Sequence, residues 1–157
     1  MEKYYQKMLK YIHHSPKLKK MIIDICHYFP YIPFSIYPII LTYLSITHHP
    51  LFITTLLKPL FAFLLVTIFR KVINRQRPYE KMNIIPLLQH KLGESFPSRH
   101  AISAMIIALV CIDVNMILGI FLLIIAFMIC LSRILAGVHY ISDVFVSIVI
   151  AIIIYII

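Results

Sequence analysis

The chain has 157 residues, 61% of them hydrophobic, and a mean hydropathy of +0.91. Globular chains are roughly 45–50% apolar, so this excess excludes an ordinary soluble enzyme and points to a membrane protein. Three glycines are too few for a Gly-rich nucleotide loop. The formal charge of +9 lies between apolar runs, which suits an anionic lipid bilayer as partner and not nucleic acid.

Residues 1–20 mix Lys and His with Tyr, Met, Leu and Ile. Tyr4, Met8, Tyr11 and Ile12 recur at helical spacing, which predicts a short amphipathic helix lying on the membrane surface. The stretch has no cleavable small-residue site and is not a signal peptide. Residues 1–27 are set apart as a basic N-terminal segment, and 28–157 as one membrane-embedded domain. A first span is predicted over Tyr28 to Thr47, kinked by Pro30, Pro33 and Pro38, whose freed carbonyls neighbouring helices must satisfy. Thr47 to Pro50 is a turn. Leu51 to Phe69 is a second span, with Lys58 near its middle, free to snorkel or to face the bundle interior.

Residues 70–99 form the only long polar stretch. Within it Asn83 to Gln89 is an apolar patch too short to span, able to dip into the interface. A hairpin follows, out from Ser98 to Ile112, turning at Asp113 to Asn115, and back from Met116 to Leu131. Ser132 to Asp143 is a second polar knot, and the last span starts near Val138. The expected fold class is all-α: a polytopic membrane bundle of about five spans, each near the ~20 residues a bilayer needs, with an N-terminal amphipathic interfacial helix. Cys26, Cys111 and Cys130 lack CxxC spacing and read as free, buried small hydrophobes.

Spans one and two carry the chain out and back, and the hairpin does so again. Arg70, Arg77, Arg99, His100, Arg133, His139 and Asp143 therefore fall at one membrane surface. The positive-inside tendency explains clustered Lys and Arg. It does not explain two histidines and an aspartate at helix starts, or Arg133 in an almost unbroken apolar sequence. If Val138 opens a helix, His139 and Asp143 stand four apart on one face. Asp143 can then fix the tautomer of His139 and leave the other ring nitrogen free as a nucleophile. Arginine forks suit the spread charge of a transferring phosphoryl group. No acidic cluster is present to hold Mg²⁺. His100 can protonate a leaving oxygen, and a helix starting at Ser98 offers free N–H groups to an anion.

These residues resemble the type 2 phosphatidic acid phosphatase superfamily of membrane lipid phosphatases, which shares its catalytic core with vanadium haloperoxidases. The resemblance rests on RKVINRQRP from Arg70 to Pro78, on Pro97-Ser98-Arg99-His100, and on SRILAGVHYISD from Ser132 to Asp143, and it runs from about Leu51 to the C-terminus. It implies that Arg70, Arg77 and Arg133 hold the phosphate, helped by Ser98 and the backbone N–H of Arg99. It implies that His139 forms a phosphohistidine, that Asp143 orients it, and that His100 protonates the leaving lipid oxygen and then activates water. No metal or cofactor is implied. The family's first motif usually opens with Lys, so Lys71 competes with Arg70 for that place. Arg99 stands where the family usually has Gly, as a fourth phosphate contact or a headgroup anchor. The family commonly has six spans.

The function expected is that of a multi-pass cell-membrane phosphatase acting on a lipid phosphomonoester or diphosphate: a polyprenyl diphosphate, phosphatidic acid or phosphatidylglycerol phosphate. The alternative is a catalytically inactive relative that binds anionic lipid or serves as a transport subunit. The basic N-terminus favours a cytoplasmic start, and five spans then put the site in the cytoplasm; six spans or the reverse orientation put it outside.

Overall fold

The computed structural model describes residues 2–89 and 91–157. They form helices α1 (Glu2–His14), α2 (Pro16–Tyr28), α3 (Tyr31–Ile46), α4 (Phe52–Ile73), α5 (Pro78–Lys81), α6 (Arg99–Val114), α7 (Met116–Leu135) and α8 (Ile141–Ile156). No strand occurs among the described residues. The chain is an all-α membrane bundle, as its sequence leads one to expect.

At the centre stands α6. It is apolar all round and buried over most of its length, the pattern of a helix enclosed by others. α7, α8, α4 and α3 surround it. Gly119 of α7 sits against the backbone of Ile112 in α6, so close that a Cβ there would lie 2.5 Å from the Ile112 nitrogen. The hairpin turns at Asn115, whose side chain caps α7 by accepting from the Leu118 N–H at 2.9 Å. Outward from the core, α4 exposes Ile53, Leu57, Leu60, Phe61, Leu64 and Ile68, and α7 exposes Ile117, Phe121, Ile124, Phe127 and Leu131. An apolar outer surface over a closed helical backbone is what hydrocarbon requires.

Three stretches among the described residues are long and apolar enough to cross a membrane: Pro16–Ile46, Phe52–Lys81 and Met116–Leu135. α6 and α8, at 16 residues each, are shorter and complete the five-helix bundle. The helical stretch that holds the first expected span thus begins at Pro16, well before Tyr28. Phe29 and Pro30 both keep right-handed helical angles, so α2 runs on into α3 despite the prolines.

Two of the carbonyls that the prolines free are taken by other helices. Pro30 has no N–H for the Cys26 carbonyl, four residues back, and Arg133 Nη2 of α7 donates there at 2.8 Å. Pro59 leaves the Thr55 carbonyl open, and the Tyr37 hydroxyl of α3 donates to it at 2.8 Å. Lys58 turns inward: Nζ donates to the Tyr155 carbonyl of α8 and lies 5.4 Å from the Tyr155 ring centre.

The N-terminal helix is amphipathic, but the face it buries is Tyr5, Leu9 and Ile12, while Tyr4 and Tyr11 are exposed. Ile12 joins Ile22, Cys26, Ala136 and Val138 in a second small core, against which Leu87 and Leu88 pack. The apolar patch within residues 83–89 therefore folds onto the protein, with the Leu87 N–H donating to the Ala136 carbonyl at 3.0 Å.

Candidate active site

Three segments meet at one end of the bundle. α4 delivers Arg70 in its last turn and stops at Asn74, a left-handed cap with φ of 40°. The loop beyond carries Arg75 and Arg77. Glu80 holds this loop together, accepting from the N–H groups of Arg77 at 3.2 Å and Gly93 at 2.7 Å. The second segment ends in Ser98, the N-cap of α6, so Arg99 and His100 occupy the first turn. The third is the link from α7 to α8. Gly137, with φ of +72°, ends α7 in a conformation that disfavours other residues, and Leu9 of α1 closes over the space a side chain would need.

α8 starts at Ile141, not near Val138. His139 therefore lies in the extended link ahead of the helix, and Asp143 in its first turn. The carboxylate of Asp143 caps α8 by accepting from the Tyr140 N–H at 3.0 Å. Position four apart still brings His139 and Asp143 together, through a cap and not along a helix face.

Arg70, Arg77, Lys91, Glu94, Arg99, His100 and His139 line one cavity of about 140 Å³. Arg70 and Arg77 are buried, His100 is half-buried and Arg99 is exposed. Arg77 is locked by backbone oxygens: Nε donates to Lys91 and Gly93, and Nη1 to Val138 at 3.1 Å. Arg70 Nη1 donates to the Pro97 carbonyl at 3.1 Å, and its Nη2 lies 3.8 Å from Glu94. Lys71 is exposed. Arg133 does not line this cavity. It is buried, and its Nη2 donates to the Cys26 carbonyl.

Asp143 is fully buried. Its oxygens accept from Arg75 Nη1 at 2.7 Å and from the Ser95 hydroxyl at 2.6 Å, besides Tyr140. His139 Nδ1 stands 3.5 Å from Asp143 Oδ2. That is an ion-pair distance, longer than the roughly 2.7–3.2 Å of a formed N–H···O bond, and Nδ1 has no other partner. Burial pushes the His139 pKa down to about 4; Asp143 opposes this, and the neighbouring Arg77 and Arg70 reinforce it. His139 is thus held neutral.

Among the described residues, four buried side-chain atoms at this end lack a hydrogen-bond partner: Arg70 Nε, Arg133 Nε, Ser98 Oγ and His139 Nδ1. Buried polar groups are normally satisfied. Of the four, Arg70 Nε belongs to a residue that lines the cation-rich cavity, where an open donor suits an anion with several oxygens. No group of three His, Cys, Asp or Glu among the described residues is placed to hold a metal ion.

Sequence reasoning missed Arg75, Ser95 and Ser147. Arg75 also donates to Ser142 Oγ and lies 4.1 Å from the Tyr140 ring centre. Ser147 accepts from the Ser98 N–H at 2.8 Å and donates to the Asp143 carbonyl at 2.6 Å, joining the α6 start to α8. The signal for Arg75 was present: it is one of four arginines in the only long polar stretch, two residues before Arg77.

The model of the PAP2 superfamily matches residues 50–157, nearly the stretch from about Leu51 to the C-terminus over which the resemblance runs. No curated protein matches the sequence. Among solved structures, LpxE of Aquifex aeolicus is 27% identical, with a TM-score of 0.77 over 98% of this chain and 91% of that one. A transmembrane PAP2-type phosphatidylglycerolphosphate phosphatase from Bacillus subtilis, 21% identical, has the same fold, with a TM-score of 0.75 over 99% of this chain and 80% of that one. Sequence motifs, bundle and family match agree, and the chain is a membrane-spanning member of the PAP2 superfamily.

Proposed function

We propose that the chain is a multi-pass cell-membrane lipid phosphatase, working through a phosphohistidine at His139. The observation that carries this is the cavity itself, where arginines and two histidines converge at one end of an apolar bundle. A lipid whose tail stays in the bilayer can present its phosphate there. Candidate substrates are phosphatidic acid, phosphatidylglycerol phosphate and polyprenyl diphosphates.

In the first step, a lone pair on His139 Nε2 attacks phosphorus and the P–O bond to the lipid breaks. His100 gives its proton to the departing oxygen. Arg70, Arg77 and the first N–H groups of α6 take up the charge on the three other oxygens, with Ser98 Oγ as a further contact, while Arg133, outside the cavity lining, adds positive charge from within the bundle. Arg99 lies at the exposed rim, as a headgroup contact. As His139 becomes cationic, the 3.5 Å gap to Asp143 closes to a charge-assisted bond; such bonds are often long before substrate binds. In the second step, water attacks phosphorus, His100 accepts its proton, and the P–N bond breaks.

His139→Ala is expected to lower phosphate release from lipid phosphates by at least about a thousandfold, with membrane insertion intact. Turnover near the wild-type rate in that variant sinks the mechanism. Activity is also expected to persist in EDTA, since no step uses a metal; its loss on chelation, with recovery on adding metal back, would overturn that part.

A further inference from the structure

The site already described is built from α4, α6, α7 and α8, all within the stretch the family model covers. Yet its nucleophile link is clasped by a helix from outside that stretch. The Tyr5 hydroxyl of α1 donates to the carbonyl of His139 at 3.3 Å and accepts from the N–H of Ile141 at 3.2 Å. It bridges the two peptide groups that flank Tyr140, immediately after the nucleophile. Tyr5 is 4% exposed, and burial raises its pKa, so the hydroxyl keeps the proton it donates.

The rest of α1 is fixed so that this hydroxyl arrives in place. Glu2 accepts from the Asn83 N–H, the His13 ring is within hydrogen-bond reach of the Ile85 carbonyl at 3.1 Å, and Leu9 packs over Gly137. α1 is thus anchored at both ends to the loop that carries Arg77, and in its middle to the link that carries His139. The link needs such support. His139 precedes α8, so no helical hydrogen bond holds its carbonyl, and its ring is not pinned by a formed bond to Asp143.

We propose that Tyr5 is a positioning residue for the phosphoryl-transfer reaction: through its hydroxyl, the N-terminal helix sets the orientation of the His139 imidazole. This rests on the phosphatase reading for its kinetic consequence, though not for its structural one. Loss of the hydroxyl frees the His139 peptide, so ring misplacement should slow attack on phosphorus and leave phosphate binding unchanged.

The test is full-length Tyr5→Phe in detergent, with Tyr11→Phe as control, since Tyr11 is on the same helix and exposed. Phosphate release from dioleoyl phosphatidic acid in mixed micelles is measured well below the unfolding temperature. Tyr5→Phe is expected to lower kcat between about ten- and a hundredfold, with KM unchanged and Tyr11→Phe like wild type. In ¹⁵N-histidine spectra, the His139 ring signals, assigned by their loss in His139→Ala, are expected to shift and broaden in Tyr5→Phe alone. Unchanged kcat and unchanged ring signals overturn the proposal. A drop in kcat with unmoved ring signals also overturns it, since Tyr5 then acts by another route. If the wild type releases no phosphate from phosphatidic acid, phosphatidylglycerol phosphate or a polyprenyl diphosphate, yet the ring signals move, the phosphatase reading fails and the positioning role stands.

Discussion

Asp143 has three donors on its carboxylate, and its nearest approach to His139 is the longest of its contacts. Its position is therefore set by Arg75, Ser95 and Tyr140, and His139 is placed relative to a carboxylate already fixed. Arg75→Gln removes one charge-assisted bond and the stacking on Tyr140. It is expected to lower kcat by about tenfold, the effect of losing roughly 1.4 kcal/mol from one such bond, with KM little changed; a rise in KM alone would place Arg75 in substrate binding instead. Glu94 sits in the cation-lined cavity 3.8 Å from both Arg70 and Lys91, where it competes with an anionic substrate. Glu94→Gln is expected to lower KM about two- to fivefold, the range of a partly exposed ion pair. A higher KM would show that Glu94 organises the arginines more than it blocks them. The depressed pKa of His139 fixes a sign as well. A histidine held near 4 remains neutral as the pH drops through its ordinary value of about 6.5. Phosphoenzyme formation in a single turnover is expected to persist through that range and to fail only toward pH 4. An acid limb centred at 6.5 would mean that His139 is hydrated when it reacts.

At the scale of elements, the helices were legible because apolar runs of bilayer length leave little choice, and the turns at His48 and Asn115 were legible from their polar residues. The start of α8 was not. Val138, His139 and Tyr140 are compatible with a link or with a first helical turn, and only the geometry of Gly137 and the capping bond from Tyr140 to Asp143 moves the start to Ile141. The buried face of α1 was not legible for a similar reason. Tyr4 and Tyr5 are adjacent, and periodicity alone cannot choose between stripes one residue apart; the choice falls to the link that Tyr5 clasps. Prolines in the spans told where carbonyls would be freed, but not what would take them. Tyr37→Phe tests one answer. It leaves the Thr55 carbonyl without its donor at Pro59, inside the bundle, and is expected to destabilise the protein by about 1–3 kcal/mol, read as a lower thermal midpoint by circular dichroism in detergent. An unchanged midpoint would show that another group takes over that carbonyl.

On the scale of the whole molecule, α1 decides the topology. Because Tyr5 and Glu2 bond to the links at the site, the N-terminal helix and the site share one membrane face. Five crossings then leave the C-terminus on the opposite face, with His48 and Asp113. Every Lys and Arg except Lys58 falls on the site side. Arg70, Arg77 and Arg99 line the cavity, but the lysines from Lys3 to Lys20 do not, and by the positive-inside tendency their excess leads one to expect this face in the cytoplasm. Single cysteines at Lys3, Lys91 and His48, in a chain whose three native cysteines are buried, read both conclusions in sealed vesicles of known orientation. An impermeant maleimide is expected to label positions 3 and 91 from the same side and position 48 from the other. Labels at 3 and 91 on opposite sides would contradict the clasp between α1 and the site, whereas shared labelling from outside would keep the clasp and reverse only the charge-based assignment.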